Sequence, residues 1–185
     1  MSLFKNHYRI ESTRIRGYDY SSPGMYFITV CTKDRERYFG EIVNNKITYS
    51  PIGIIANRYW LDIPHHFPFI SLDEFIVMPN HIHGLIIIND NISVETRNCA
   101  SLRPLTDNVC LRHYNKFGPQ SKNLSAVIRS YKSTVKKFAN NHNFELNWQP
   151  RFYEHIIRDG ESLNRIREYI RNNLDNWQKD RNNQN

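Results

Sequence analysis

At 185 residues and 39% hydrophobic, the chain is long enough for one sizeable core and short for two independent domains. It has no apolar run of about eighteen residues and no charged-then-apolar leader, so neither a membrane span nor a secretory signal is expected, and a cytoplasmic protein is. A net charge of +7 favours a polyanionic partner, because each Lys or Arg that meets a phosphate releases condensed counterions, but charge alone names no partner. Cys31, Cys99 and Cys110 follow no zinc spacing and read as reduced thiols.

Residues 1–24 form a polar, basic segment closed by the turn signal Ser22-Pro23-Gly24. The β-branched and aromatic run 25–32 predicts the first core strand, and 40–49, with Asn44-Asn45 in its middle, a small hairpin. Ile52, Ile55, Tyr59 and Ile63 recur at helical spacing, so 51–63 is a helix opened by Pro51 and closed by Pro64. Two antiparallel strands follow over 69–77 and 81–88, joined tightly through Met78-Pro79-Asn80. Residues 89–122 lack any sustained period and read as a long loop or insertion. The clearest helix spans 123–141, with Leu124, Val127, Ile128, Tyr131, Val135 and Phe138 in one stripe and Arg129, Lys132, Lys136 and Lys137 largely off it. A strand over 150–158 leads to Asp159, which can cap a last helix over 160–174 with Leu163, Ile166, Ile170 and Leu174 as its apolar positions. The polar tail 178–185 is expected to fray. The order is βαββαβ plus an extra C-terminal helix: an α+β, ferredoxin-like antiparallel sheet.

Chemistry concentrates in two places. His81 and His83 are two apart in a predicted strand, so the pleat sends both imidazoles to one face, a spacing that suits a bidentate metal clamp and equally a pair of core or surface histidines. Leu85 and Ile87 continue that face while Ile82, Ile86 and Ile88 occupy the other, so both faces need cover and the last helix is the natural cover for the histidines. On that helix Tyr169 and Asn173 are four apart and share one side, at the flank of the apolar stripe.

MPNHIHGLIII, followed far downstream by WQPRFYEHIIRDGESLNRIREYIRNN, resembles the REP-associated tyrosine transposases and the wider single-tyrosine insertion-sequence transposases of the His-hydrophobic-His (HUH) class. The likeness runs from about residue 26 to 177, and includes YFITVCT and LSAVIRSYKSTVKKF. It implies one catalytic domain over 25–177, in which His81, His83 and Asn173 hold a divalent metal, Mg²⁺ or Mn²⁺, and Tyr169 is the nucleophile. The implied substrate is single-stranded DNA bearing an imperfect-palindrome hairpin, cut and rejoined through a 5′-phosphotyrosine link; a homodimer is an open possibility. One departure is Leu174, where many relatives carry proline. Arg129, Lys132, Lys136 and Lys137 could contact hairpin phosphates and the aromatic N-terminal segment could stack exposed bases. Competing readings are a replication or relaxase-type nickase, a domesticated non-catalytic hairpin-DNA-binding protein, and a metal-dependent phosphoesterase.

Overall fold

Strand alternation sorts apolar side chains onto two faces, and the chain layers its helices to cover both. The computed structural model describes residues 3–4, 7–8, 15, 17–90, 122–180 and 182–183. A short ladder, β1 (Leu3–Phe4) with β2 (His7–Tyr8), precedes the first core strand, β3 (Gly24–Cys31). The hairpin of β4 (Gly40–Val43) and β5 (Lys46–Tyr49) turns through Asn44 and Asn45, both with positive φ (51° and 55°), the type I′ geometry that asparagine tolerates. Helix α1 (Pro51–Leu61) follows, capped by the Ser50 hydroxyl on the Gly53 amide, and then a short α2 (Ile63–His66). Strands β6 (Ile70–Val77) and β7 (His81–Ile88), helix α3 (Leu124–Asn141), strand β8 (Tyr153–Ile157) and helix α4 (Gly160–Arg171) complete the order.

The sheet runs β6-β7-β3-β8 with every neighbouring pair antiparallel, the expected ferredoxin-like arrangement. Tyr26, Ile28 and Val30 of β3 and Ile82, Ile86 and Ile88 of β7 form the larger core with α1 and α3. The opposite face is a smaller core of Phe27, Leu85, Ile157 and Ile170, with Leu163 and Ile166 packed against it, so α4 covers the second face. Strand β7 is buried almost throughout, as its near-continuous apolar run requires. Gly84 makes one close approach possible: a Cβ there would stand 2.3 Å from the Trp60 ring, which stacks beside it on Phe75.

Several expectations need correction. The buried stripe of α1 is Ile52, Ala56 and Trp60, continued by Ile63 at the start of α2, whereas Ile55 and Tyr59 are only partly buried. Pro64 does not end the helical run; it sits in the first turn of α2, where its missing N–H costs nothing. Helix α4 stops at Arg171, three residues before the expected end. The described residues of the tail are docked rather than frayed: Trp177, Asp180 and Asn182 are buried, and Trp177–Lys179 form a 3₁₀ turn. Tyr18 and Tyr20, in the segment expected to stack bases, instead pack on Tyr26, with the Tyr18 hydroxyl donating to that of Tyr26 at 3.1 Å. Most of the predicted insertion, residues 91–121 with Cys99 and Cys110, lies outside the described residues.

Candidate functional site

The pleat of β7 places His81 and His83 side by side, their ring centroids 4.4 Å apart, both almost wholly buried on the face that α4 covers. Their cross-strand partners on β3 are Cys31 and Thr29. Thr29 Oγ1 lies 2.9 Å from His83 Nδ1, and Phe27 stacks on the same ring, so His83 is held from one side and from below. Its other nitrogen, Nε2, is 3.2 Å from the Tyr169 hydroxyl. Tyr169 is 44% exposed, so the phenol reaches the buried histidine from the solvent side.

Helix α4 is aimed at the histidines by a defect in the sheet. Between Leu72 and Phe75 the β6–β7 register slips, so that Asp73 and Glu74 together face the single residue Leu85. Without that bulge the two carboxylates would point to opposite faces; with it, both reach α4. Asp73 accepts from Arg167 Nε and Nη2 at 3.1 and 2.5 Å, and Glu74 pairs with Arg171. These arginines bracket Tyr169 at two residues on either side. The bidentate Arg167 hydrogen bonds hold the Asp73 carboxyl below the usual carboxylate range, against a smaller opposing effect of burial.

The third part of the site is Asp180, which the sequence reading placed in a fraying tail. Its Oδ2 is 3.9 Å from His81 Nε2, and one ligand atom from each of His81, His83 and Asp180 lies within 4.8 Å of the others. Trp177 stacks beside His81 with ring centroids 6.1 Å apart, and Arg37 sits 5.8 Å over the Trp177 ring. Asn173, expected as a ligand at the helix flank, is buried beyond the end of α4 and donates through Nδ2 to Asp180 Oδ2 at 3.3 Å. Its Oδ1 has no hydrogen-bond partner among the described residues. Asp180 was missed because a lone aspartate in a polar tail has no period; the one available signal was the apolar Trp177 three residues before it.

The residues fit a divalent ion. Ligands about 2.1 Å from one ion stand at most about 4.2 Å apart, so small side-chain shifts close the set, and two imidazoles with a carboxylate are a recurrent donor combination for such ions.

The basic residues of α3 are divided. Lys132 Nζ donates to the carbonyls of Gln149 and Arg151 at 2.6 and 3.0 Å and lies over Trp148, and burial lowers its pKa. Lys136 Nζ donates to the Leu146 carbonyl. Both tie down the segment before β8. Arg129 and Lys137 are exposed, on a helix packed against the sheet face opposite the histidines. Beside the site, a cleft of about 220 Å³ is lined by Thr29, Cys31, Gln149, Arg151, Phe152 and Tyr153. Among the described residues no helix is long and apolar enough to cross a membrane.

No family model matches the chain. An uncharacterized protein of Haemophilus influenzae is 36% identical over 176 residues, covering 94% of this chain and 92% of the relative. A second protein of that organism, named as a candidate REP-associated tyrosine transposase, is 24% identical over 153 residues, 82% of this chain and 70% of its own length. In fold, the chain is similar to a REP-associated tyrosine transposase solved bound to a REP hairpin, with a TM-score of 0.51 at 18% identity over 90% of this chain and 72% of the other.

Proposed function

We propose that this chain is a member of the REP-associated tyrosine transposase family, to which a 24% identical relative and a structure of the same fold point, and that it cleaves and rejoins hairpin-bearing single-stranded DNA with Tyr169 as nucleophile. One observation carries the reading: the Tyr169 hydroxyl stands 3.2 Å from His83 Nε2, in a site where a second histidine and a carboxylate converge. A phosphodiester anion repels a phenol that is weakly nucleophilic at neutral pH, so both need assistance. His81, His83 and Asp180 would hold a divalent ion, with Asn173 steadying Asp180 or lending its own oxygen. When bound, Mg²⁺ or Mn²⁺ would polarise and orient the scissile phosphate, and the two imidazoles favour Mn²⁺ over Mg²⁺.

Tyr169 Oη then forms a bond to phosphorus as the bond from phosphorus to the 3′ oxygen breaks. The phenol loses its proton, the leaving 3′ oxygen gains one, and the 5′ phosphate stays on the tyrosine. Attack by a 3′ hydroxyl on that link reverses the step without ATP. Tyr169 and His83 meet within one chain, which supports a reading in which a single copy would supply nucleophile and metal ligands. The cleft lined by Arg151 and Tyr153 would take nucleotides next to the scissile phosphate, and Arg129 and Lys137 would meet hairpin phosphates farther away.

The test is a covalent adduct. Tyr169→Phe should fold and bind a hairpin oligonucleotide yet give no protein–DNA adduct in Mn²⁺, while Tyr153→Phe, changed on the same sheet face, should still give one. An adduct in Tyr169→Phe that maps to Tyr153 would overturn the assignment. Tyr131 is no rival, since its buried hydroxyl donates to the Ala56 carbonyl in the opposite core.

A further inference from the structure

We propose that Asn80 is a positioning residue that fixes His81 in the tautomer able to take a metal ion, and that the C-terminal segment in turn fixes Asn80. The proposal rests on the metal-site reading above. A neutral imidazole ligates through its unprotonated nitrogen, and the hydrogen bond at the other nitrogen decides which one that is. His81 Nδ1 lies 2.8 Å from Asn80 Oδ1.

The two ends of the Asn80 amide are told apart by their partners. One end lies 3.0 Å from the Arg35 carbonyl and 2.7 Å from the Asn182 carbonyl. Carbonyls only accept, so that end is the NH₂ group, and both its hydrogens are used. The end facing His81 is therefore the oxygen, which also only accepts. It follows that His81 Nδ1 carries the proton and Nε2 carries the lone pair, and Nε2 is the atom that faces Asp180 Oδ2. Asn80 cannot swing away easily, because it is 2% exposed and its own carbonyl accepts from Thr32 N and Thr32 Oγ1, both at 2.9 Å.

One short stretch thus acts on both sides of the His81 ring. Asp180 presents its carboxylate to Nε2, while the Asn182 carbonyl orients the amide that holds Nδ1. Asp180 Oδ1 accepts from Asn182 N at 2.6 Å, so the two contacts are made by one folded unit. Docking of the chain end and metal-readiness of His81 are the same event.

Long-range ¹H–¹⁵N spectra of the imidazoles in the metal-free protein, at a pH where the rings are neutral, read the tautomer directly. His81 should show a protonated Nδ1 and an unprotonated Nε2. In Asn80→Ala the two nitrogens should move toward averaged shifts, and affinity for Mn²⁺ alone should fall about 10- to 100-fold. Asn80→Asp keeps the acceptor and loses both donors, so it should retain the tautomer while hydrogen exchange over 177–183 accelerates. If Asn80→Ala does not fold, deletion of 182–185 removes the Asn182 carbonyl while Asp180 stays in the chain, and should move the two nitrogens in the same direction. A wild-type His81 protonated at Nε2, or an unchanged tautomer and Mn²⁺ affinity in Asn80→Ala or the deletion, overturns the proposal. Because these readouts use no DNA, they are separate from adduct formation, which tests the transposase reading by itself.

Discussion

Asp180 and Asn173 occupy one hydrogen-bonded pair, but their chemistry differs. Asp180 supplies a charged oxygen 3.9 Å from His81 Nε2, whereas Asn173 supplies a neutral amide whose first contact is with Asp180. Removing the carboxylate takes away both a donor atom and the charge that offsets the cation. Asp180→Ala should therefore lower Mn²⁺ affinity more than Asn173→Ala, where a water can replace a neutral oxygen. Isothermal titration with Mn²⁺ ranks the two; the opposite order would return Asn173 to the ligand role that the family resemblance implied. The approach of Tyr169 to the histidines was legible in the sequence because each belongs to a periodic element, whereas their roles were implied by the family resemblance. Asp180 was not, since its place depends on a chain end folding back over a strand about a hundred residues earlier.

Helix α4 is held to the sheet by carboxylates that a bulge in β6 turns toward it. Asp73 is depressed in the folded state by the Arg167 hydrogen bonds, so its contribution is fully present above the unfolded carboxyl pKa, about 4, and is lost as pH falls through the lower folded value. Amide protection of α4 should hold steady above about pH 5 and drop below about pH 4, and Asp73→Asn should abolish that acid dependence while lowering protection at neutral pH. A wild-type profile that Asp73→Asn leaves unchanged would remove the bulge from this role. The 3₁₀ turn after α4 is anchored differently, by burial of Trp177 against His81. Trp177→Ala should cost about 3–5 kcal/mol by denaturant unfolding if the whole fold feels the cavity. A smaller loss, with faster hydrogen exchange confined to 173–183, would show that this segment undocks by itself. Neither the bulge nor the anchor could be read beforehand: a register slip leaves no mark in an apolar pattern, and a single Trp in a polar run has no partner until the strand beneath it is placed.

For the molecule as a whole, a net charge of +7 is shared between residues that hold the fold and residues that face solvent. Lys132→Met removes charged hydrogen bonds to two carbonyls and should lower stability by about 1.5–3 kcal/mol. Replacing exposed Arg129 and Lys137 with Ala should leave the melting temperature nearly unchanged and reduce the salt dependence of hairpin binding by about 1.4 to 1.8 in log–log slope if both meet phosphates. An unchanged slope would assign the hairpin to another surface. The sequence by itself determined the strand and helix order, the ferredoxin-like class, the common face of His81 and His83, and α4 as their cover, because periods of two and 3.6 residues report which side of an element is buried. Tertiary structure alone decided the division of the α3 lysines, the aim of α4 through the β6 bulge, and the arrival of Asp180 and Asn182 beside His81. Those depend on contacts between residues far apart in the chain, and such contacts leave no local period to read.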